Sequence, residues 1–128
     1  MYEATIQLTF SAAHALRLPG GTLEPLHGHD WSVHVTVASE ELDGMDTVMD
    51  FHQLERQVEA VIGPWRNGNL NALPPFSTDG GETLEVNPSA ERVAERIAAV
   101  VGGGLPALVR LHGVAVGEAP GCVARYRP

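Results

Sequence analysis

The chain has 128 residues, 44% of them apolar, and a formal net charge of −8; that is one domain's worth of core, and the acidic balance argues against a nucleic-acid partner, which needs a basic face. No apolar run approaches the roughly 20 residues of a membrane span, and no basic start followed by an apolar stretch marks a secretory signal, so a cytoplasmic protein with no membrane partner is expected. The lone Cys122 excludes an intramolecular disulfide and a Cys-rich zinc site, and the absence of Lys removes Schiff-base and P-loop chemistry.

Residues 3–14, "EATIQLTFSAAH", alternate: Ile6, Leu8, Phe10 and Ala12 share one face, with His14 in phase. This predicts a half-buried strand. "LPGGTLEP" (Leu18–Pro25) is turn material. Trp31, Val33, Val35 and Val37 then alternate, with His27 and His29 in phase ahead of them, so the first two strands read as an antiparallel pair with a long connection. In "DFHQLERQVEAVIGPW" (Asp50–Trp65) the period changes: Phe51, Leu54, Val58, Val61 and Ile62 follow i, i+3, i+4 spacing. Asp50 caps that helix and Gly63-Pro64 stops it. The Gly, Asn and Pro of residues 66–86 predict a long loop. "NPSAERVAERIAAVVGGG" (Asn87–Gly104) predicts a second helix with Asn87 as N-cap, Pro88 in its first turn, and Val93, Ile97, Val100 and Val101 on the core face. "ALVRLHGVAVGEAPG" and "CVARYRP" return to alternation as a closing hairpin. The order β-β-α-α-β-β predicts an α+β domain over residues 1–128: a four-stranded antiparallel sheet with two helices on one face.

Residues i and i+2 of a strand lie on one side, about 6.6 Å apart. His27 and His29 can therefore aim at one ion, and His14 ends the neighbouring strand on the same face. Three imidazoles with one open position match the catalytic zinc pattern, although iron, nickel or copper would also accept imidazole. A His-X-His pair by itself is also an ordinary surface pattern. His34 lies on the opposite strand face, His52 in the first turn of a helix, and His112 within a strand; each reads as solvated or as a hydrogen-bonded sheet residue.

"FSAAH" (Phe10–His14), "LHGHD" (Leu26–Asp30), "MDF" (Met49–Phe51), "NPSAE" (Asn87–Glu91) and "GE" (Gly117–Glu118) together resemble the 6-pyruvoyl and 6-carboxytetrahydropterin synthase family, in its order and over nearly the whole chain. The resemblance implies the tunnelling fold, whose subunits pair sheets side by side into barrels, and a homohexamer with sites between subunits. It implies zinc on His14, His27 and His29, and a pterin substrate anchored by Glu118, whose carboxylate can accept two parallel hydrogen bonds from the ring. An exposed hairpin acid is the alternative for Glu118.

The departures fall on proton transfer. The family has a cysteine shortly before His-Gly-His and an Asp-His pair in Leu-Asp-His-x-x-Leu-Asn. This chain reads "GGTLEPLHGH", with Leu23 at the cysteine's place, and "WRNGNLN", with Arg66 and Asn67 where Asp and His belong. Cys122 lies too far along the chain to substitute. Ala15 follows His14 where the family has a basic residue, and the nearest base is Arg17. Glu24, in the loop that carries the family's cysteine, is the candidate catalytic base; the alternative is a solvated acid, and a carboxylate of ordinary pKa near 4.3 is a weak base unless its site is dry. His52 and His112 are lesser candidates, and Arg66 is a candidate for holding a phosphate or carboxylate of a different substrate. The leading reading is a zinc-dependent lyase acting on dihydroneopterin triphosphate or a related pterin. The alternative is an inactive pterin- or purine-binding homologue. A purely structural zinc is disfavoured, since such sites usually have four protein ligands.

Overall fold

A computed structural model describes residues 1–128. Strands β1 (Tyr2–His14) and β2 (His27–Ser39) pair antiparallel along their whole length, from Tyr2 opposite Ser39 to His14 opposite His27. Helix α1 (Phe51–Ile62) begins at Asp50, whose carboxylate accepts the His52 N–H, and runs into a 3₁₀ turn at Gly63–Trp65. Helix α2 (Ala90–Gly102) precedes β4 (Arg110–Ala119), which forms the closing hairpin with β5 (Cys122–Tyr126). Both helices cover one face of the sheet: Ile6, Phe10, Trp31, Val33, Val35, Val37, Val114 and Val116 share a single core with Leu54, Val58 and Ile62 of α1 and Val93, Ile97 and Val101 of α2. The expected α+β layering and element order are present.

Three local expectations are corrected. The sheet has five strands and is mixed, because β3 (Gly68–Asn69) runs parallel to the end of β1 and gives the order β3-β1-β2-β4-β5. A two-residue strand carries no alternation to detect. The N-cap of α2 is Ser89, which accepts the Arg92 N–H, and not Asn87; Asn87 is drawn into a tertiary contact instead. Val100 is exposed rather than in the core, whose remaining α2 positions are filled by Ala90, Ala94 and Ala98.

Candidate metal centre

The pairing of β1 with β2 builds the centre. His14 lies opposite His27, and His29 lies opposite Ala12, two residues along on the same face. The three ring centroids sit 4.7, 5.1 and 4.9 Å apart, and one nitrogen from each ring lies within 4.8 Å of the others. The Nδ1 atoms of His14 and His27 stand 2.8 Å from the carbonyl oxygens of Pro88 and Pro25. A carbonyl only accepts, so each Nδ1 carries a proton, which leaves Nε2 as the ring atom that can ligate a metal. Trp31 supports the cluster from below. Its ring meets His14 edge-on at 4.8 Å and His29 at 5.7 Å, stacks on Phe10, and donates Nε1–H to the Ala12 carbonyl.

His14 is 1% exposed, and the Nε2 atoms of His14 and His29 are buried with no hydrogen-bond partner. An orphaned buried polar atom costs about 1–3 kcal/mol, and a shared cation would relieve both at once. Burial, reinforced by the His14 ring and opposed by the Glu118 carboxylate, holds the His29 imidazolium pKa below its ordinary value and so favours the neutral form that ligates metal. Three converging imidazole nitrogens, with the outer N–H groups of His14 and His27 held by carbonyls, fit a divalent transition metal bound by three protein ligands.

Two carboxylates flank this set. A register shift in the closing hairpin leaves Glu118 unpaired between Gly117 and Ala119, and such an irregularity re-aims a side chain. The Glu118 oxygens lie 4.0 Å from His14 Nε2 and 3.9 Å from His29 Nε2. On the other side, Glu24 Oε1 lies 3.9 Å from His27 Nε2. Neither acid is free in solvent: their side chains are 29% and 28% exposed.

The position of Glu24 rests on the segment after β1. Leu16 N–H donates to Glu24 Oε1, and Glu24 N–H donates to the Leu16 carbonyl, both at 2.9 Å. The other edge of this segment is gripped by two asparagines. Asn71 accepts the Ala15 N–H at 2.8 Å and donates to the Ala15 carbonyl at 2.7 Å. Asn87 does the same for Arg17, at 2.7 and 3.1 Å. Sequence reasoning missed both clamps. Asn87 looked like a helix cap, and Asn71 stood out only as part of a motif match.

The remaining candidates lie elsewhere. Arg66 donates twice to the Glu59 carboxylate, at 2.9 and 2.6 Å, and once to the Thr9 carbonyl at 2.8 Å; it ties α1 to the edge of β1 and does not join the histidines. Asn67 N–H donates to the Ser11 carbonyl at 2.6 Å. Leu23 is exposed and bridges to Arg17. Cys122 is exposed at the start of β5. His52 is 80% exposed, His112 lies 3.3 Å from Glu3, and neither is among the clustered histidines.

The sequence profile of 6-pyruvoyl tetrahydropterin synthase matches residues 3–128. A dihydroneopterin monophosphate aldolase of Pyrococcus furiosus is 32% identical over 110 residues, which are 86% of this chain and 83% of that one. A 6-carboxy-5,6,7,8-tetrahydropterin synthase of Bacillus subtilis is 33% identical over 97 residues, 75% of this chain and 62% of that one. Among solved structures, the 6-pyruvoyltetrahydropterin synthase of Plasmodium vivax superposes with a TM-score of 0.74 at 20% identity, over 100% of this chain and 99% of that one, which shows a shared fold. With a profile match over almost its whole length and relatives above 30% identity, the chain belongs to the 6-pyruvoyl tetrahydropterin synthase family.

Proposed function

We propose that the protein is a zinc-dependent lyase that cleaves the side chain of a phosphorylated dihydropterin, with Glu24 as base and Glu118 as anchor of the pterin ring. The observation that carries this reading is the placement of two half-buried carboxylates on different sides of the three-histidine set, one against His27 and one against His14 and His29. His14, His27 and His29 would hold the metal, which supplies a Lewis acid when bound. Glu118, aimed across the cluster, can accept a pair of ring N–H groups. Glu24 is fixed by the Leu16 N–H on one oxygen, which leaves its second oxygen to take a proton from a side-chain hydroxyl of the substrate. Loss of that proton turns the carbinol into a carbonyl, breaks the adjacent carbon–carbon bond, and sends the bonding pair into the ring's conjugated C=N system, where a proton restores the dihydropterin. Two names support the reading: the Pyrococcus relative is called an aldolase, which favours carbon–carbon cleavage, and one Plasmodium vivax structure is described as a catalytic-residue mutant in which a glutamate is replaced by alanine, which favours a carboxylate base.

The reading takes residues 1–128 as one working unit, cytoplasmic, in a homohexamer. Support for side-by-side assembly comes from the sheet's open edges: beyond Ala12 and Ala13 the outer side of β1 has no strand partner, and β5 has a neighbour on one side only. No helix is long and apolar enough to cross a membrane.

One observation favours pterin or purine binding without turnover: Arg66 and Asn67, which replace the family's Asp-His pair, are both tied to the edge of β1. One assay separates the two. The zinc-loaded protein is incubated with dihydroneopterin monophosphate and with dihydroneopterin triphosphate, and the products are resolved by chromatography. A side-chain-shortened dihydropterin is the expected product. Saturable pterin binding with no product from either substrate would overturn the lyase reading in favour of the binding one.

A further inference from the structure

We propose that the helix-free face of the sheet carries a second ligand site, for a small phosphate-type oxyanion, formed by Arg125, Arg127, His34, His112 and the Thr5–Thr36 hydroxyl pair. These residues line one cavity of about 260 Å³. It is separate from the metal centre: His34 lies five residues beyond His29 on β2, about 16 Å along the strand and on the opposite face.

Three features point to an anion. First, the lining contains two arginines and two histidines and no carboxylate, in a chain with sixteen acids against eight bases. Arg66 and Arg92 are spent on Glu59 and Glu95, whereas neither Arg125 nor Arg127 has an acid within 4.0 Å. The nearby Glu3 meets His112 Nε2 at 3.3 Å but does not line the cavity. Second, the backbone departs from regularity to build this face. Val37 pairs with Leu111 and Thr36 with Gly113, so His112 is an extra residue in β4. Regular alternation would put His112 on the same side as buried Val114; the bulge keeps Leu111 in the core and turns His112 into the cavity. A side chain on Gly113 would meet Arg127 Cγ at 3.3 Å, so the glycine gives the arginine stem its place across the sheet. Third, the donor arithmetic leaves protons over. Thr5 and Thr36 stand 2.7 Å apart at their hydroxyls; one donates to the other, and the remaining hydroxyl proton is free for a ligand oxygen. Guanidinium forks match the tetrahedral oxyanion geometry. The volume lies below the roughly 300 Å³ at which drug-sized pockets begin, which suits orthophosphate or a short inorganic polyphosphate.

Calorimetric titration of the intact zinc-loaded protein with inorganic triphosphate, and separately with orthophosphate, tests the site. Saturable binding of at least one of them is expected. Arg125→Gln with Arg127→Gln, both at exposed positions, should weaken it at least tenfold with an unchanged melting curve and zinc content. Arg56→Gln with Arg96→Gln removes the same charge elsewhere and should weaken it less than threefold, and His27→Ala should leave it unchanged. The proposal is overturned by no saturable binding at millimolar anion, by equal losses in the two arginine double variants, or by binding that survives Arg125→Gln/Arg127→Gln and disappears with His27→Ala.

Discussion

Glu24 and Leu16 hold each other through two hydrogen bonds, one from each backbone N–H. Glutamine in place of Glu24 keeps an oxygen to accept the Leu16 N–H, so Glu24→Gln should preserve fold and metal content while losing the proton acceptor. Product formation should fall by about 10²–10⁴, with pterin affinity little changed. The comparison of turnover with ligand affinity checks this, and equal turnover in the two proteins would remove Glu24 as base. Trp31 has a different duty. It is fully buried, stacks on Phe10 and meets two of the histidine rings. Trp31→Ala should cost about 3–5 kcal/mol in denaturant unfolding. It should also weaken metal binding, because the His14 and His29 rings would lose the surface that fixes their tilt.

At the scale of elements, side chains reaching across the chain do work that ladders do elsewhere. Arg66 joins the last turns around α1 to β1 through Glu59 and the Thr9 carbonyl, and its hydrogen bonds hold the Glu59 carboxyl below its ordinary pKa. A carboxyl lowered in the folded state binds fewer protons there than in the unfolded chain, so its stabilisation is complete above the ordinary carboxylate pKa near 4 and disappears as pH falls through the lowered value. Arg66→Met should therefore destabilise the protein at pH 7 by about 0.5 kcal/mol, a discounted figure because both partners are more than a third exposed. The part of the difference that Glu59 contributes should disappear in acid, leaving only that from the lost hydrogen bond to the Thr9 carbonyl; melting curves from pH 7 to pH 2.5 measure it.

Local pattern carried far at this scale. The alternation of β1 and β2 and the in-phase histidines located the centre, and Asp50 caps α1 as its position suggested. What escaped depends on partners distant in sequence. Asn87 caps nothing because Arg17, seventy residues away, takes both ends of its amide. Arg66 is an anion binder by side-chain type, and the anion it holds is Glu59, seven residues back in the chain. The bulge at His112 reverses the side its parity assigns, and no periodicity argument can see an inserted residue.

For the molecule as a whole, a metal that binds only the folded chain adds stability by mass action, about 2.7 kcal/mol at a hundredfold excess over its dissociation constant. Zinc removal by a chelator should accordingly lower the melting temperature by roughly 10 °C for a chain of this size, and re-addition should restore it; an unchanged melt would mean that the histidines hold no ion in solution. An ion held there would also bear on alignment. The connection from Ala15 to Leu26 is closed by the Leu16–Glu24 hydrogen bonds and the Arg17–Leu23 bridge, which help to fix which residues of β1 and β2 meet. A slip of two positions that set His14 opposite Pro25 would keep every side chain on its proper face, yet it would carry His14 about 6.6 Å along the strand from His27 and about 13 Å from His29. An ion held by the three histidines would therefore add to the hairpin's own bias against that slip and would act as a proofreader of the sheet.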